Sequence, residues 1–481
     1  AAGILIRGNS DIGGALVNNG TIDAYAEANA PVDAMAAAGG VIYFGTDPDL
    51  GPDADLENNG DISGEANANA FNPAGNADAT AFAAGVGQLI VAEDFISSDI
   101  TNASDASISG SAEADAIASG SANAFAAAGG VVSLLVSEEG AGYATLDNQG
   151  SIAASADAFA FGDNANAIAI GGGVVRGVIA ETDAEVDVTN SGTIATTVDA
   201  DAVGVTEANA LAVGAGVAEI AISTGASDGD MARTGLVNDG SIVTNVTAEA
   251  EGDQDAFALA AGIGSLQAAL GFGTGDTASA SLTNTNLIDT NVTASASATV
   301  PGASATAVGI GAGVAQLAIA DGDASTFIQN DGTVSVDVLA TANADDANAF
   351  GVGLGVLQAA VSLNGGATAS LTNTSPDSID VTVTASATGA TTAAALAGAI
   401  GAVQLAVGTE AYASVNNTGN ISAEANAYTL ATTGRADSYA GAIGLGQIAV
   451  GTALADASLT NGGTISADAN ATASGATFAS A

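Results

Sequence analysis

The chain has no histidine, cysteine or lysine. Imidazole bases, thiol and amine nucleophiles, and the nitrogen and sulfur ligands of most transition-metal sites are therefore missing. What remains for chemistry is carboxylate: 53 Asp and Glu against four arginines (Arg7, Arg176, Arg233 and Arg435), a formal net charge of −49. Several carboxylates sit two residues apart. Asp47, Asp49, Asp53 and Asp55 crowd one short stretch, and Asp228 with Asp230 and Asp321 with Asp323 form further pairs. Oxygen ligands at that spacing suit Ca²⁺, the one cofactor expected and not a required one; no segment follows the twelve-residue EF-hand pattern. The competing reading is a solvated acidic turn that keeps the molecule soluble. The acidic residues recur along the chain without a singular cluster, so we expect no enzyme.

The charge also bounds the partners. Phosphate binding needs clustered Lys and Arg, which excludes nucleic acid, and an anionic membrane surface is disfavoured for the same reason. Divalent cations and surface polysaccharide remain. The longest apolar run, residues 256–273, approaches the lower limit for a spanning helix, but runs like it recur once per repeat with glycine at alternate positions. That period suits a strand rather than a helix, so no membrane insertion is expected.

The elements that must position these residues follow from a repeat. An asparagine recurs eleven times, each two residues after an aliphatic one: Asn18, Asn58, Asn102, Asn148, Asn190, Asn238, Asn284, Asn330, Asn373, Asn417 and Asn461. The gaps run from 40 to 48 residues, and a period in that range signals a stacked array. Residues 1–481 therefore read as one continuous unit. Each repeat has two halves. One is aliphatic-x-Asn-x-Gly-x-Ile running into alternating alanine, as in Leu459 to Ala469; the other is a Gly/Ala run ending in an aliphatic cluster, as in Ala440 to Val450. Both alternate with period two, so both read as strands, and the glycine after the asparagine reads as a left-handed turn residue. Ser104, Asn286 and Ser375 stand where that glycine is expected, which predicts looser turns at the two serines.

Halves this poor in large side chains cannot close a core alone, and stacking on neighbours supplies what they lack. The expected fold is all-β, a parallel β-solenoid of about eleven 44-residue repeats. At two coils of about 22 residues per repeat, the rod would be roughly 100 Å long at the ~4.8 Å strand spacing. Stacking turns periodic positions into columns. The eleven asparagines form an internal amide ladder, and Gln88, Gln267, Gln316, Gln358, Gln404 and Gln447 form a partial second one. Arg176 and Glu219 occupy consecutive places in the glutamine column and are expected to meet as an ion pair.

The Leu-x-Asn-x-Gly-Thr-Ile unit, here Val188 to Ile194 and Leu459 to Ile465, resembles the repeats of bacterial autotransporter and haemagglutinin-type passenger regions. That resemblance implies a secreted, extracellular, cell-surface β-solenoid. The two ends of the sequence read as complementary half-repeats, and joining them gives an Asn-to-Asn interval slightly below the internal range. We therefore expect copies to associate head-to-tail into a homopolymer, a filament or matrix or sheath fibre. The alternative is the rigid passenger or stalk region of a surface adhesin.

Overall fold

The computed structural model describes residues 1–8, 15–47, 53–225, 229–374 and 376–481. Every strand pairing in it is parallel, and each strand pairs with its equivalent one repeat earlier and one repeat later. The chain is a parallel β-solenoid.

One coil shows the plan. A first strand, Thr277–Asn284, ends on the repeat asparagine; a second, Leu287–Ala298, follows a sharp corner; a third, Ser304–Ala320, returns along the opposite side. In other coils neighbouring strands fuse, as in Ser151–Ala180 and Ser378–Asn417. The apolar run near residue 256 is the third strand Asp255–Gly271. Alternation explains the coil walls. The second strand turns Ile288, Val292, Ala294 and Ala296 inward and Asp289, Asn291 and Ser295 outward.

The third strand breaks that alternation. Ala305 and Ala307 point inward, but so do Val314, Gln316 and Ala318, and the phase changes by one residue at Gly311 to Gly313. The break divides the interior into two cores. Before it, alanines of the third strand meet alanines of the second, as Ala305 and Ala307 meet Ala294 and Ala296. After it, valines and alanines of the third strand meet the aliphatic residues of the first, among them Val314, Leu282 and Ile328. Alanine on alanine lets the two walls approach more closely than the usual ~10 Å between sheets.

The number of coils differs from the sequence expectation. Each repeat makes one wide coil, not two of about 22 residues: Ala305 pairs with Ala256 before it and Ala347 after it, a full repeat away on each side. The two half-repeats face each other across the cores instead of stacking. Eleven coils at ~4.8 Å span about 50 Å, half the expected length. The 49 formal charges then lie at about one per Å of axis, denser than the ~1.7 Å spacing of duplex DNA.

The glycines after the asparagines also serve a different purpose. Positive φ occurs among the described residues only at Gly229, Gly275 and Gly302. Gly192 and Gly240 are glycine because coils touch there: a Cβ on either would lie 2.0 Å from a carbonyl oxygen of the preceding coil. Asn286 likewise has no left-handed backbone. The corner near Ser104 is longer by two residues, with Ile108 six positions beyond Asn102 where Ile152 is four beyond Asn148. Ser375 lies outside the described residues.

Candidate functional site

The corner between first and second strands holds the asparagine column. Asn Nδ2 of each coil donates to Asn Oδ1 of the next through all ten steps from Asn18 to Asn461, at 2.7–2.8 Å. The second amide hydrogen is used as well. It reaches a backbone carbonyl just past the corner of the next coil, as Asn190 reaches Ser241 O at 3.2 Å and Asn238 reaches Leu287 O at 3.0 Å. Asn58 through Asn417 are fully buried, where an unmade amide bond would cost about 1–3 kcal/mol. Each asparagine fastens its coil to the next at two points.

The glutamine column runs the other way. Nε2 of Gln316, Gln358, Gln404 and Gln447 donates to Oε1 of the preceding glutamine at 2.7, 3.1, 2.9 and 2.9 Å. The same nitrogens reach across the core to first-strand carbonyls: Phe327 O from Gln316 and Ser370 O from Gln358. This column therefore fixes the separation of the walls as well as the stacking. The two amide ladders point in opposite axial directions, so their dipoles oppose one another.

Arg176 and Glu219 are register neighbours in this column, yet they do not form the expected ion pair. Ser133, one coil before Arg176, is too short to fill the column. The guanidinium extends into that space, and Nη2 donates to Ser98 O and Oγ, both at 3.1 Å. Nε and Nη1 find no partner, and burial lowers the Arg176 pKa to about 10. Glu219 turns towards the next coil, where Oε2 accepts from Gln267 Nε2 at 2.6 Å. Burial holds its pKa well above the ordinary value. The ion pairs among the described residues are on the surface: Arg233 with Glu185 and Asp187, and Arg435 with Asp437.

Of the carboxylates proposed for Ca²⁺, Asp53, Asp55, Asp230, Asp321 and Asp323 lie on the turns between third and first strands, and Asp47 ends the third strand Asp33–Asp47. Asp53 accepts from Ser97 Oγ at 2.5 Å and Asp55 from the Asp99 amide at 3.1 Å. Asp321 accepts from the Gly275 amide at 2.9 Å and from Asn364 Nδ2 at 2.6 Å, and Asp323 accepts from the Gly366 amide at 2.7 Å. These contacts join adjacent coils, so the carboxylates act as axial staples of the turns. Burial and then Asp276, Asp183 and Glu181 raise the pKa of Asp230. Asp49, Asp228 and the side chain of Asp47 lie outside the described residues. Among those described, no three carboxylates converge as a metal site.

A second acidic feature emerges only from the register. Glu113, Asp157 and Asp199 stack in one outward column of the second strands, and Asp115, Phe159, Asp201 and Glu249 in the column beside it. Burial, reinforced by these stacked neighbours, raises Asp157 and Asp201 to about 6.

Fold and columns together define a continuous β-solenoid held by two internal amide ladders. No family model matches the chain, and neither a curated protein nor a solved structure is similar to it.

Two features were not drawn from the sequence. One is a glycine column at the phase change of the third strand, including Gly85, Gly130, Gly173, Gly216 and Gly264. A Cβ there would lie about 2.5–2.8 Å from the next coil's glycine oxygen, and equally close to the isoleucine of the second strand. Its signal was available: a second period running through the repeats beside the asparagines. The other feature is the outward face of the third strands, treated below.

Proposed function

We propose that the chain is a structural subunit of an extracellular bacterial filament, a matrix or sheath fibre in which the solenoid of one copy continues into the next. The observation that carries this reading is the polarity of the ladders. Every asparagine step donates in the same axial sense, from Asn18 towards Asn58 through to Asn417 towards Asn461, so one side of a coil offers amide donors and the other offers acceptors to a coil of a second copy. A coil of a second copy in the same register would extend both ladders. The resemblance of the repeat to autotransporter and haemagglutinin-type passenger regions supports a secreted, surface-associated setting.

The charge sets the conditions. A rod with about one formal charge per Å condenses counterions and repels its own kind at low salt. Assembly therefore depends on salt or divalent cations, Ca²⁺ included. The test is electron microscopy with light scattering of the purified protein, titrated with NaCl and CaCl₂ and reversed with chelator. Filaments that lengthen with added salt or Ca²⁺, whatever their width, support the reading. Monodisperse particles at high concentration in both refute it and favour a rigid adhesin stalk. Assembly unaffected by chelator at low ionic strength refutes the electrostatic part.

A further inference from the structure

The third strands present an outward face of unusual composition. Phe82, Ile170, Val213, Ile310 and Val352 share one column, with Ala127 and Ala261 between them, and Phe44, Leu89, Leu134, Ile220 and Leu317 share another, with Gly177 and Ala268 between them. Between the columns that begin at Met35 and Phe44, no acidic side chain points outward in any coil. The one charged residue is Arg7 in the first coil, lying over the Phe44 ring. Many of these side chains are well exposed: Phe82 is 43% accessible, Ile170 42% and Leu396 43%. Ten residues of strand by ten coils make a patch of about 1,600 Å². The largest apolar patch on an ordinary monomer is about 300–600 Å², and a stable dimer needs about 800 Å² from each partner.

The relief of this face identifies what covers it. Its central column reads Gly39, Ala84, Gly129, Gly172 and Ala215 through the first five full coils, a groove flanked by larger residues. In the next five the same column reads Ile263, Ala312, Leu354, Ile400 and Ile443 and becomes a ridge. The groove half and the ridge half are complementary when a second copy is laid face to face with its axis reversed. A two-fold axis along the strand direction, between the coils of Ala215 and Ile263, brings each column opposite itself in reverse order. Ala84 then meets Ile400, Gly129 meets Leu354, and Gly39 meets Ile443. In the adjacent columns Phe82 meets Gly398, Gly87 meets Val403 and Gly177 meets Leu317, while Val132 meets Leu357 and Leu89 meets Leu405, large against large. Where Gly172 meets Ala312, leaving space, the neighbouring pair is Ile170 with Ile310.

We propose that two copies of this chain pair through this face, antiparallel, as an isologous dimer. The interface is dry and formed by side chains alone, because the backbone hydrogen bonds of every strand are spent along the axis. Pairing also leaves the acidic outer faces of both copies in water. An anionic lipid surface fits less well, since the rod's own charge opposes approach to it. This pairing is independent of the end-to-end association proposed above. It thickens the particle without lengthening it, whereas end-to-end association does the reverse.

The test is sedimentation equilibrium with small-angle scattering in about 0.5 M salt, which screens the acidic faces. The expected mass is an even multiple of the 45.2 kDa chain, with the cross-section of two solenoids side by side whatever length end-to-end association gives the particle. Phe82→Glu with Val213→Glu, both at exposed positions, should weaken pairing at least a hundredfold while the circular dichroism stays unchanged. A size exchange tests the register. Ala84→Ile alone should weaken pairing at least tenfold, and Ile400→Ala in the same chain should restore it. Those two residues are seven coils, about 34 Å, apart within one molecule, so only a partner can couple them. A monomer at about 100 µM, a particle that lengthens without thickening, or a dimer indifferent to the glutamates overturns the proposal. Failure of the size exchange to restore pairing overturns the antiparallel register. A monomer captured by neutral phosphatidylcholine vesicles would assign the face to lipid instead.

Discussion

Replacing Asn190 by alanine cuts the asparagine ladder near its middle. Three hydrogen bonds disappear: Nδ2 to Asn238 Oδ1 at 2.8 Å, Nδ2 to Ser241 O at 3.2 Å, and Asn148 Nδ2 to Asn190 Oδ1 at 2.7 Å. Asn148 keeps its bond to Thr193 O at 3.2 Å, but Asn238 Oδ1 loses its donor inside a fully buried column. With about 1–3 kcal/mol for each buried group left unmade, the cost is about 3 kcal/mol. In a one-dimensional array such a loss is local to the coils it joins. The suitable assay is therefore amide hydrogen exchange resolved by coil, where 3 kcal/mol is a roughly hundredfold rise in opening. Asn461→Ala, whose amide is exposed in the last coil, should change exchange less than about fivefold. Asn190→Asp should cost no less than alanine, because a carboxylate accepts but cannot donate to Asn238. Equal effects at Asn190 and Asn461, or less than a tenfold rise at Asn190, would refute the view that the ladder holds the coils together.

Three further outcomes follow from the columns. Gly216→Ala forces a Cβ to 2.5 Å from both Gly264 O and Ile242 Cγ2 and should cost about 3 kcal/mol; Gly441→Ala, with nothing within 4 Å, should be neutral or slightly stabilising, and thermal melts of the two variants compare them directly. Glu219 has a raised pKa, so its stabilising contribution is complete below the ordinary glutamate range and declines as pH rises through the raised value. Glu219→Gln keeps an acceptor for Gln267 and should flatten that alkaline decline in melting temperature. Asp157 and Asp201 act in the same sense: their stability is fully present below about 3.8 and lost as pH passes about 6. Acidification from pH 7 to pH 5 should raise the melting temperature by a few degrees, discounted for their exposure, and Asp157→Asn with Asp201→Asn should remove most of that rise.

The asparagine and glutamine ladders were legible because stacking in an array converts sequence period directly into contact. The coil count was not. Both half-repeats alternate with period two and both are rich in alanine, so each could pass for a coil of its own. The choice lies in interactions between the halves: glutamines reaching first-strand carbonyls, and the glycine column admitting the second-strand isoleucine. The Arg176–Glu219 ion pair fails to form for a related reason. Adjacency in the column was correct, but the short Ser133 and the donor Gln267 drew the two side chains in opposite directions.

The sequence by itself determined that this chain is a stack of equivalent strands with aligned polar columns, because a period of about 44 residues brings the same residue type to the same place in every coil. Only the tertiary structure decided how wide a coil is, which halves face each other, and which outward positions lie side by side. The one-residue phase change at the paired glycines inverts inside and outside midway along the third strand. Large and small outward residues that look unordered in the sequence thereby fall into one apolar face with a groove in one half and a ridge in the other.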